Sequence, residues 1–187
     1  MNEEIIAKGK LFELVQVRQD DGRVFEVARQ APGVRLIIAD KTKQKVLLTK
    51  EYRQELAEWD YRLPGGKVFD SLDDYETHRK SGDDITEAAK NQAINEAQQE
   101  AGVEIAELEL YKKSVLGATV EWDLYVFEAT KWQLSVHGQE LEVGEKIEAD
   151  NWVSFDEARQ MILDGQMQEE RIGLVLLQWL AAQQGVN

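Results

Sequence analysis

Residues 84–103 read DITEAAKNQAINEAQQEAGV, a stretch in which both ends of a helix can be recognised. Asp84 can accept hydrogen bonds from the first free N–H groups of a helix, and Glu87 follows three residues later, as in a capping box. The residues between 85 and 101 are rich in Ala, Gln and Glu, which favour helix. Gly102 suits the left-handed conformation that ends many helices. The stretch therefore predicts a helix over 85–101.

Two carboxylates share one face of this predicted helix. Glu96 and Glu100 are four residues apart, so their side chains lie about one turn apart on the same side. Like charges at this spacing destabilise an isolated helix slightly. A divalent cation reverses that effect, because Mg²⁺ prefers carboxylate, carbonyl and water oxygens. From the spacing alone, a solvated acidic face is the more frequent explanation.

Strand signals flank the helix on both sides. Alternating or β-branched runs over 11–18, 23–29, 34–39 and 46–50 predict four strands, and Asp20-Asp21-Gly22 predicts a turn between the first two. Further strands are predicted over 108–115, 124–129, 132–136 and 151–155, and helices over 156–163 and from about 169 to 182. This order predicts an α+β fold in which helices cover a mixed sheet.

Composition restricts the classes of function. The chain has 187 residues and a formal net charge of −14, which argues against nucleic-acid partners, since these need clustered Lys and Arg. The absence of cysteine excludes disulfides, thiolate metal sites and a cysteine nucleophile. Neither an apolar run of about 18 residues nor a secretory leader is visible, so we expect a cytoplasmic protein with no membrane partner.

The turn Pro64-Gly65-Gly66 and the helix together resemble the box of the Nudix hydrolases, G-x5-E-x7-R-E-U-x-E-E-x-G-U, where U is apolar. With Gly66 as the first glycine, the later box positions in register are Glu87, Glu96, Ala97, Glu100, Gly102 and Val103. The resemblance implies an α/β/α Nudix sandwich.

Three features depart from the box. Between Gly66 and Glu87 there are 20 residues where the pattern has five. Asn95 replaces the box arginine, and Gln99 replaces the first glutamate of the E-E pair. In the family that arginine commonly pairs with box carboxylates, so the loss of both charges together is partly self-compensating.

Segments outside the box resemble the ADP-ribose pyrophosphatase branch of the family. They are Lys50-Glu51-Tyr52-Arg53, Gly117-x-x-x-Glu121-x-x-x-Tyr125, Glu145-Lys146-Ile147-Glu148, Trp152-x-Ser154-x-Asp156-Glu157-Ala158 and Ile162-x-x-Gly165, followed by the closing helix. The resemblance covers roughly residues 10–182. It implies Mg²⁺-dependent attack of water on the pyrophosphate of a nucleoside diphosphate derivative, most simply ADP-ribose or another nucleotide sugar.

The resemblance also implies roles for individual residues. Mg²⁺, with Mn²⁺ as a substitute, is expected to bind Glu96, Glu100 and the carbonyl of Gly65. A glutamate of the loop 138–148 is expected to assist catalysis. Glu145 is the first choice, Glu142 the second and Glu140 the third.

Four residues are predicted to contact or line the substrate: Arg53, Arg29, Glu121 and Gly66. A structural ion pair is the equal alternative for Arg53. Arg35 is a further candidate for a phosphate contact.

We expect two segments, an N-terminal β element over 1–32 and a Nudix domain over 33–187 with an inserted loop at about 67–83. In the branch that this chain resembles, the N-terminal element mediates dimer formation, so we expect a homodimer. The insertion is polar, which predicts either a mobile surface loop or a short helix around 72–79, serving as a lid or as a surface excursion.

Two functions remain open at this point. One is the Mg²⁺-dependent pyrophosphatase. The other is a catalytically degenerate Nudix domain that acts as a nucleotide-binding sensor or interaction module, which the altered box and its insertion favour. An acidic α+β domain unrelated to nucleotides is the third alternative.

Overall fold

The computed structural model describes residues 2–54 and 56–184. Its strands are β1 (Asn2–Lys8), β2 (Phe12–Arg18), β3 (Val24–Gln30), β4 (Gly33–Asp40), β5 (Lys45–Arg53), β6 (Glu58–Arg62), β7 (Val103–Ser114), β8 (Val120–Glu121), β9 (Leu124–Leu134) and β10 (Ile147–Ser154). Its helices are α1 (Leu72–Ser81), α2 (Ile85–Ala101), α3 (Phe155–Leu163) and α4 (Glu170–Gln184).

The strands form two sheets. The larger has the order β10-β5-β4-β9-β7, with β6 paired to β5, and only the β4–β9 pair is parallel. The smaller has the order β1-β2-β3-β8. Because β8 joins it, this N-terminal sheet includes a strand from outside residues 1–32.

The central strand β4 is buried on both faces. Val34, Leu36 and Ile38 face the core beneath α2, whereas Ile37 and Ala39 face the core beneath α3 and α4. This two-sided burial explains the continuous apolar run over residues 36–39 of β4. The larger sheet is thus covered by helices on both faces, as predicted.

Helix α2 packs through a row of alanines. Ala89, Ala93, Ala97 and Ala101 recur every four residues and are buried, and their small side chains let the helix lie close to the sheet. The predicted ends are confirmed, since Asp84 accepts a hydrogen bond from the backbone N–H of Thr86 and Gly102 has φ = +62°. Glu96 and Glu100 each precede an alanine of this row and therefore lie along its edge.

The insertion packs on the N-terminal sheet. The predicted short helix is α1, whose Leu72 and Tyr75 are buried against Ala31. Lys8 of β1 forms ion pairs with Asp73 and Glu76 of α1, at 2.8 and 3.1 Å. These contacts connect the N-terminal sheet to the chain segment between Gly66 and α2.

Three strands were not predicted from the sequence, and one of them, β8, has only two residues and so shows no pattern. All seven residues of β1 are exposed, so the strand has no alternation of buried and exposed positions to reveal it. In β6 the fully buried residue is Asp60, whereas Trp59 is exposed, which inverts the usual pattern. The predicted strand over 132–136 is largely the end of β9.

Within residues 2–54 and 56–184, no helix combines the length and apolar character needed to cross a bilayer.

Candidate functional site

The loop that carries Gly65 and Gly66 is held between β4 and α2. The carbonyl oxygens of Pro64 and Gly66 accept hydrogen bonds from the N–H groups of Leu36 and Val34, each at 2.9 Å. Gly65 has φ = +142°, and a Cβ there would lie 2.2 Å from the carbonyl oxygen of Val34. Backbone conformation and lack of space therefore both require glycine at residue 65.

Both glutamates of α2 reach this loop. The N–H of Gly65 donates to Oε2 of Glu100 at 2.7 Å. A Cβ on Gly66 would lie 2.1 Å from Oε1 of Glu96, so the glycine leaves room for that carboxylate. The amide of Gln92, one turn earlier on α2, donates to the same Oε1 at 2.9 Å. The two carboxylates thus converge on residues 65 and 66.

Burial and mutual repulsion disfavour the negative charge of this pair. Burial is the main cause that raises the pKa of Glu100 to about 8, and the charge of Glu96 is the next. The N–H of Gly65 and the charge of Arg35 lower the pKa of Glu100, but only in part. Burial also raises the pKa of Glu96. The site therefore gains stability from a bound cation.

The donor set fits a hard divalent cation. Within the described residues, neither Glu96 nor Glu100 forms an ion pair, and no three His, Cys, Asp or Glu side chains are grouped closely enough to hold a metal by themselves. Glu96 and Glu100 supply two carboxylates, and the carbonyl of Gly65 is the third donor predicted from the sequence. Such a partial set suits Mg²⁺, which usually keeps several waters and is completed by substrate phosphate oxygens.

Two of the predicted loop glutamates form one acidic turn at residues 142–145. The N–H of Glu142 donates to Oε2 of Glu145 at 2.9 Å, and the N–H of Glu145 donates to the carbonyl of Glu142 at 3.2 Å. Glu145 first and Glu142 second add to the causes that raise the pKa of Glu96. The carboxylate of Glu140 instead accepts a hydrogen bond from Gln98 at 3.3 Å.

The structure brings Arg29 and Glu121 together, but in an ion-pair cluster. The guanidinium of Arg29 donates to Glu121 at 2.9 Å and to Glu13 and Glu3 at 3.0 Å each. Glu13 is buried, whereas Glu3 is exposed. This cluster joins β1, β2, β3 and β8.

The other arginines near the loop are also paired. Arg53 donates to Glu51 at 2.8 Å. Arg35 is buried, donates to the carbonyl of Val34 at 2.9 Å and lies 3.7 Å from a carboxylate oxygen of Glu169. Its positive charge acts on both glutamates of α2.

The sequence analysis missed three glutamines. Gln92 supports Glu96 directly, and its position four residues before Glu96 on the helix is a signal that could have identified it. Gln98 and Gln139 connect α2 to the glutamate loop across about 40 residues of chain, which no local pattern reveals.

Cavity size does not single out these residues. Two cavities of about 410 and 450 Å³ are lined by parts of α3, β10 and the chain around residues 43–44, 61, 166 and 183. They contain none of the predicted site residues. The assignment of the site therefore depends on its charges and its loop geometry.

Comparisons with known proteins agree with this arrangement. The crystal structure of an ADP compounds hydrolase superposes with a TM-score of 0.67 at 19% sequence identity, covering 98% of this chain and 94% of that chain. This likeness confirms the predicted α/β/α sandwich. No curated protein matches the chain. The NUDIX domain model matches residues 29–173, most of the sequence. The chain therefore belongs to the NUDIX domain family, and the predicted class of enzyme, a hydrolase of pyrophosphate linkages, is confirmed at the level of that family.

Proposed function

We propose that the protein hydrolyses the pyrophosphate bond of ADP-ribose or another nucleotide sugar, in a reaction that depends on Mg²⁺ or Mn²⁺. The observation that carries this proposal is the pair of buried carboxylates, Glu96 and Glu100, against the Gly65-Gly66 loop. Their repulsion and burial disfavour two uncompensated negative charges, and a divalent cation, which prefers carboxylate oxygens, compensates both. The neighbour's title, which names ADP compounds, supports the substrate class.

In the proposed reaction, different residues bind the metal, orient its ligands and accept a proton. Glu96, Glu100 and the carbonyl of Gly65 hold the metal, and the N–H of Gly65 fixes the orientation of Oε2 of Glu100. When bound, the metal screens the pyrophosphate and acidifies the attacking water. Glu145, with Glu142 as the alternative, accepts a proton from that water. Its turn acts electrostatically on Glu96, which supports this role.

Two arginines are candidates for contacts with the phosphates of the substrate. Arg53 is the first candidate for a phosphate contact, because its side chain lies at the end of β5 and remains partly exposed. Arg29 is the second candidate. It would have to exchange one of its carboxylate partners for phosphate, and Glu3 and Glu121 are the more exposed ones. In this proposal Glu121 lines the site through Arg29, and Gly66 lets Glu96 approach.

A homodimer and a cytoplasmic location are part of the same proposal. The N-terminal sheet exposes Ile5, Ile6, Phe12 and Phe25, each by about half of its surface. Exposed apolar side chains on one sheet are frequent at protein interfaces. They support a role in assembly for the segment 1–32, beside a Nudix domain over 33–187.

The experiment is an assay of hydrolysis with ADP-ribose, other nucleotide sugars and dinucleotides. Products are detected as phosphate after phosphatase treatment, with Mg²⁺ and with EDTA. We expect turnover that requires the metal and that Glu100→Gln lowers at least about 100-fold. Glu107→Gln is the matched control, since Glu107 is an exposed carboxylate that forms an ion pair with Lys131 on the surface.

The same assay tests the sensor alternative, which the changed box residues Asn95 and Gln99 favour. Calorimetric titration with ADP-ribose measures binding separately from turnover. Tight binding without hydrolysis of any compound in the panel would establish the sensor and contradict the pyrophosphatase.

A further inference from the structure

A set of hydrogen bonds joins the last turn of α2 to the glutamate loop. The side-chain amide of Gln98 donates to the carbonyl of Gly138 at 3.2 Å and to the side chain of Glu140 at 3.3 Å. The side-chain amide of Gln139 donates in the opposite direction, to the carbonyl of Glu100. The N–H of Glu140 donates to the carbonyl of Gln99 at 3.0 Å. We call these contacts the glutamine clasp.

The clasp occupies backbone groups that a helix leaves free. The last carbonyls of a helix have no partner within it, and those of Gln99 and Glu100 belong to this group. Loop residues 139 and 140 supply the missing donors. Gly102 makes this close approach feasible, because a Cβ there would lie 2.9 Å from the backbone carbon of Gly138.

The acidic turn comes immediately after the clasp in the loop. Residues 142–145 follow the clasp directly, and the end of the loop is fixed where the N–H of Tyr52 donates to the carbonyl of Lys146 at 3.0 Å. The loop is therefore attached both to α2 and to β5. Between these attachments, the N–H of Glu142 donates to the carboxylate of Glu145 at 2.9 Å, so the two glutamates form one closed turn.

We propose that Gln98 and Gln139 are positioning residues that hold the acidic turn 142–145 close to the end of α2 that carries Glu100. The inference rests on the proposed function, since it assigns these glutamines to the same metal site. They touch neither metal nor substrate. Their effect on the reaction passes through the carboxylates of Glu142 and Glu145.

The test uses Gln98→Met and Gln139→Met, which keep the length of the side chain and remove its donor. Gln133→Met is the matched control, because the amide of Gln133 makes a comparable bond to Glu104 on the exposed surface of β9 and β7. Hydrogen exchange of the Glu140 and Glu145 amides is measured together with Mg²⁺ affinity by calorimetry and kcat and KM for ADP-ribose.

We expect exchange at both amides to become about tenfold faster in each clasp variant, the effect of one lost hydrogen bond. Mg²⁺ affinity falls severalfold, since two carboxylates leave the neighbourhood of the metal. kcat falls at least about tenfold with little change in KM. The control variant matches the wild type in all measurements.

Two results would overturn the inference. One is unchanged exchange in the loop in the clasp variants. The other is faster exchange with Mg²⁺ affinity and kcat both unchanged, which would show that the clasp is structural only. The measurements of exchange and of Mg²⁺ affinity do not need turnover. If the wild type hydrolyses nothing, the proposed function fails, and exchange and Mg²⁺ affinity still decide the role of the clasp.

Discussion

Substitution of Gly66 by Ala tests whether the position of Glu96 controls the reaction. The new Cβ would lie 2.1 Å from Oε1 and 2.8 Å from Cδ of Glu96. An ordinary contact requires about 3.4 Å, so the carboxylate must move by about 1.3 Å. The atoms that give way are the end of a flexible side chain. The backbone of the loop therefore stays in place while the proposed metal ligand is displaced.

The displacement of Glu96 affects the rate of the reaction far more than the stability of the fold. A displacement of about 1 Å at a reacting group can lower the rate about 100-fold, and we expect kcat/KM to fall by this order. Folding is affected little, because the backbone of Gly66 does not adopt a positive φ and alanine reduces the entropy of the unfolded chain. We expect the free energy of unfolding to change by less than about 1 kcal/mol.

The neighbouring glycine gives the contrasting result. Alanine at Gly65 places its Cβ 2.2 Å from a backbone oxygen at φ = +142°, so we expect Gly65→Ala to lose about 2 kcal/mol or more of stability. Gly9→Ala, where the nearest atom is 3.4 Å away, is the benign control. Urea denaturation and ADP-ribose hydrolysis are measured for all three. A Gly66→Ala protein with the wild-type rate would refute the placement of Glu96 at the reacting centre.

Two further predictions concern the carboxylates of α2. In the metal-free protein, the folded state retains the proton of Glu100 up to about pH 8, whereas the unfolded chain releases it near pH 4.5, so the free energy of unfolding falls as pH rises through this window. Urea midpoints at about pH 6 and about pH 9 measure this change. A pH dependence that persists unchanged in Glu100→Gln would contradict the assignment to Glu100. Gln99→Glu restores a box carboxylate and should leave Mg²⁺ affinity in calorimetry equal or higher; sharply weaker binding would show that the register of the box is wrong.

Local signals in the sequence were enough to place α2 and its glutamates. Capping by Asp84, the alanine row and Gly102 act within a few residues of chain, so their effect does not depend on the rest of the fold. The convergence of Glu96 and Glu100 on Gly65 follows from the same helix geometry once the helix is packed. For the insertion, low hydrophobicity left a loop and a short helix as alternatives, and the structure has the helix.

The parts that were not predicted depend on contacts between distant segments. The strand β1 forms because β2 offers a free edge, and none of its side chains is buried. Arg29 illustrates the same limit. It was predicted to contact the substrate, while the carboxylates that surround it come from β1, β2 and β8. Such partners become visible only when the sheet order is known.

The glutamine clasp changes the meaning of the departures from the Nudix box. With Gln99 in place of glutamate, α2 itself offers two carboxylates to the site, Glu96 and Glu100. The acidic turn adds Glu142 and Glu145 to the charges that act on Glu96. The clasp bonds start from the same helical turn that lacks the box carboxylate. If the clasp positions the loop as proposed, negative charge absent from the helix is supplied by the loop, and the altered box is compatible with a working metal site.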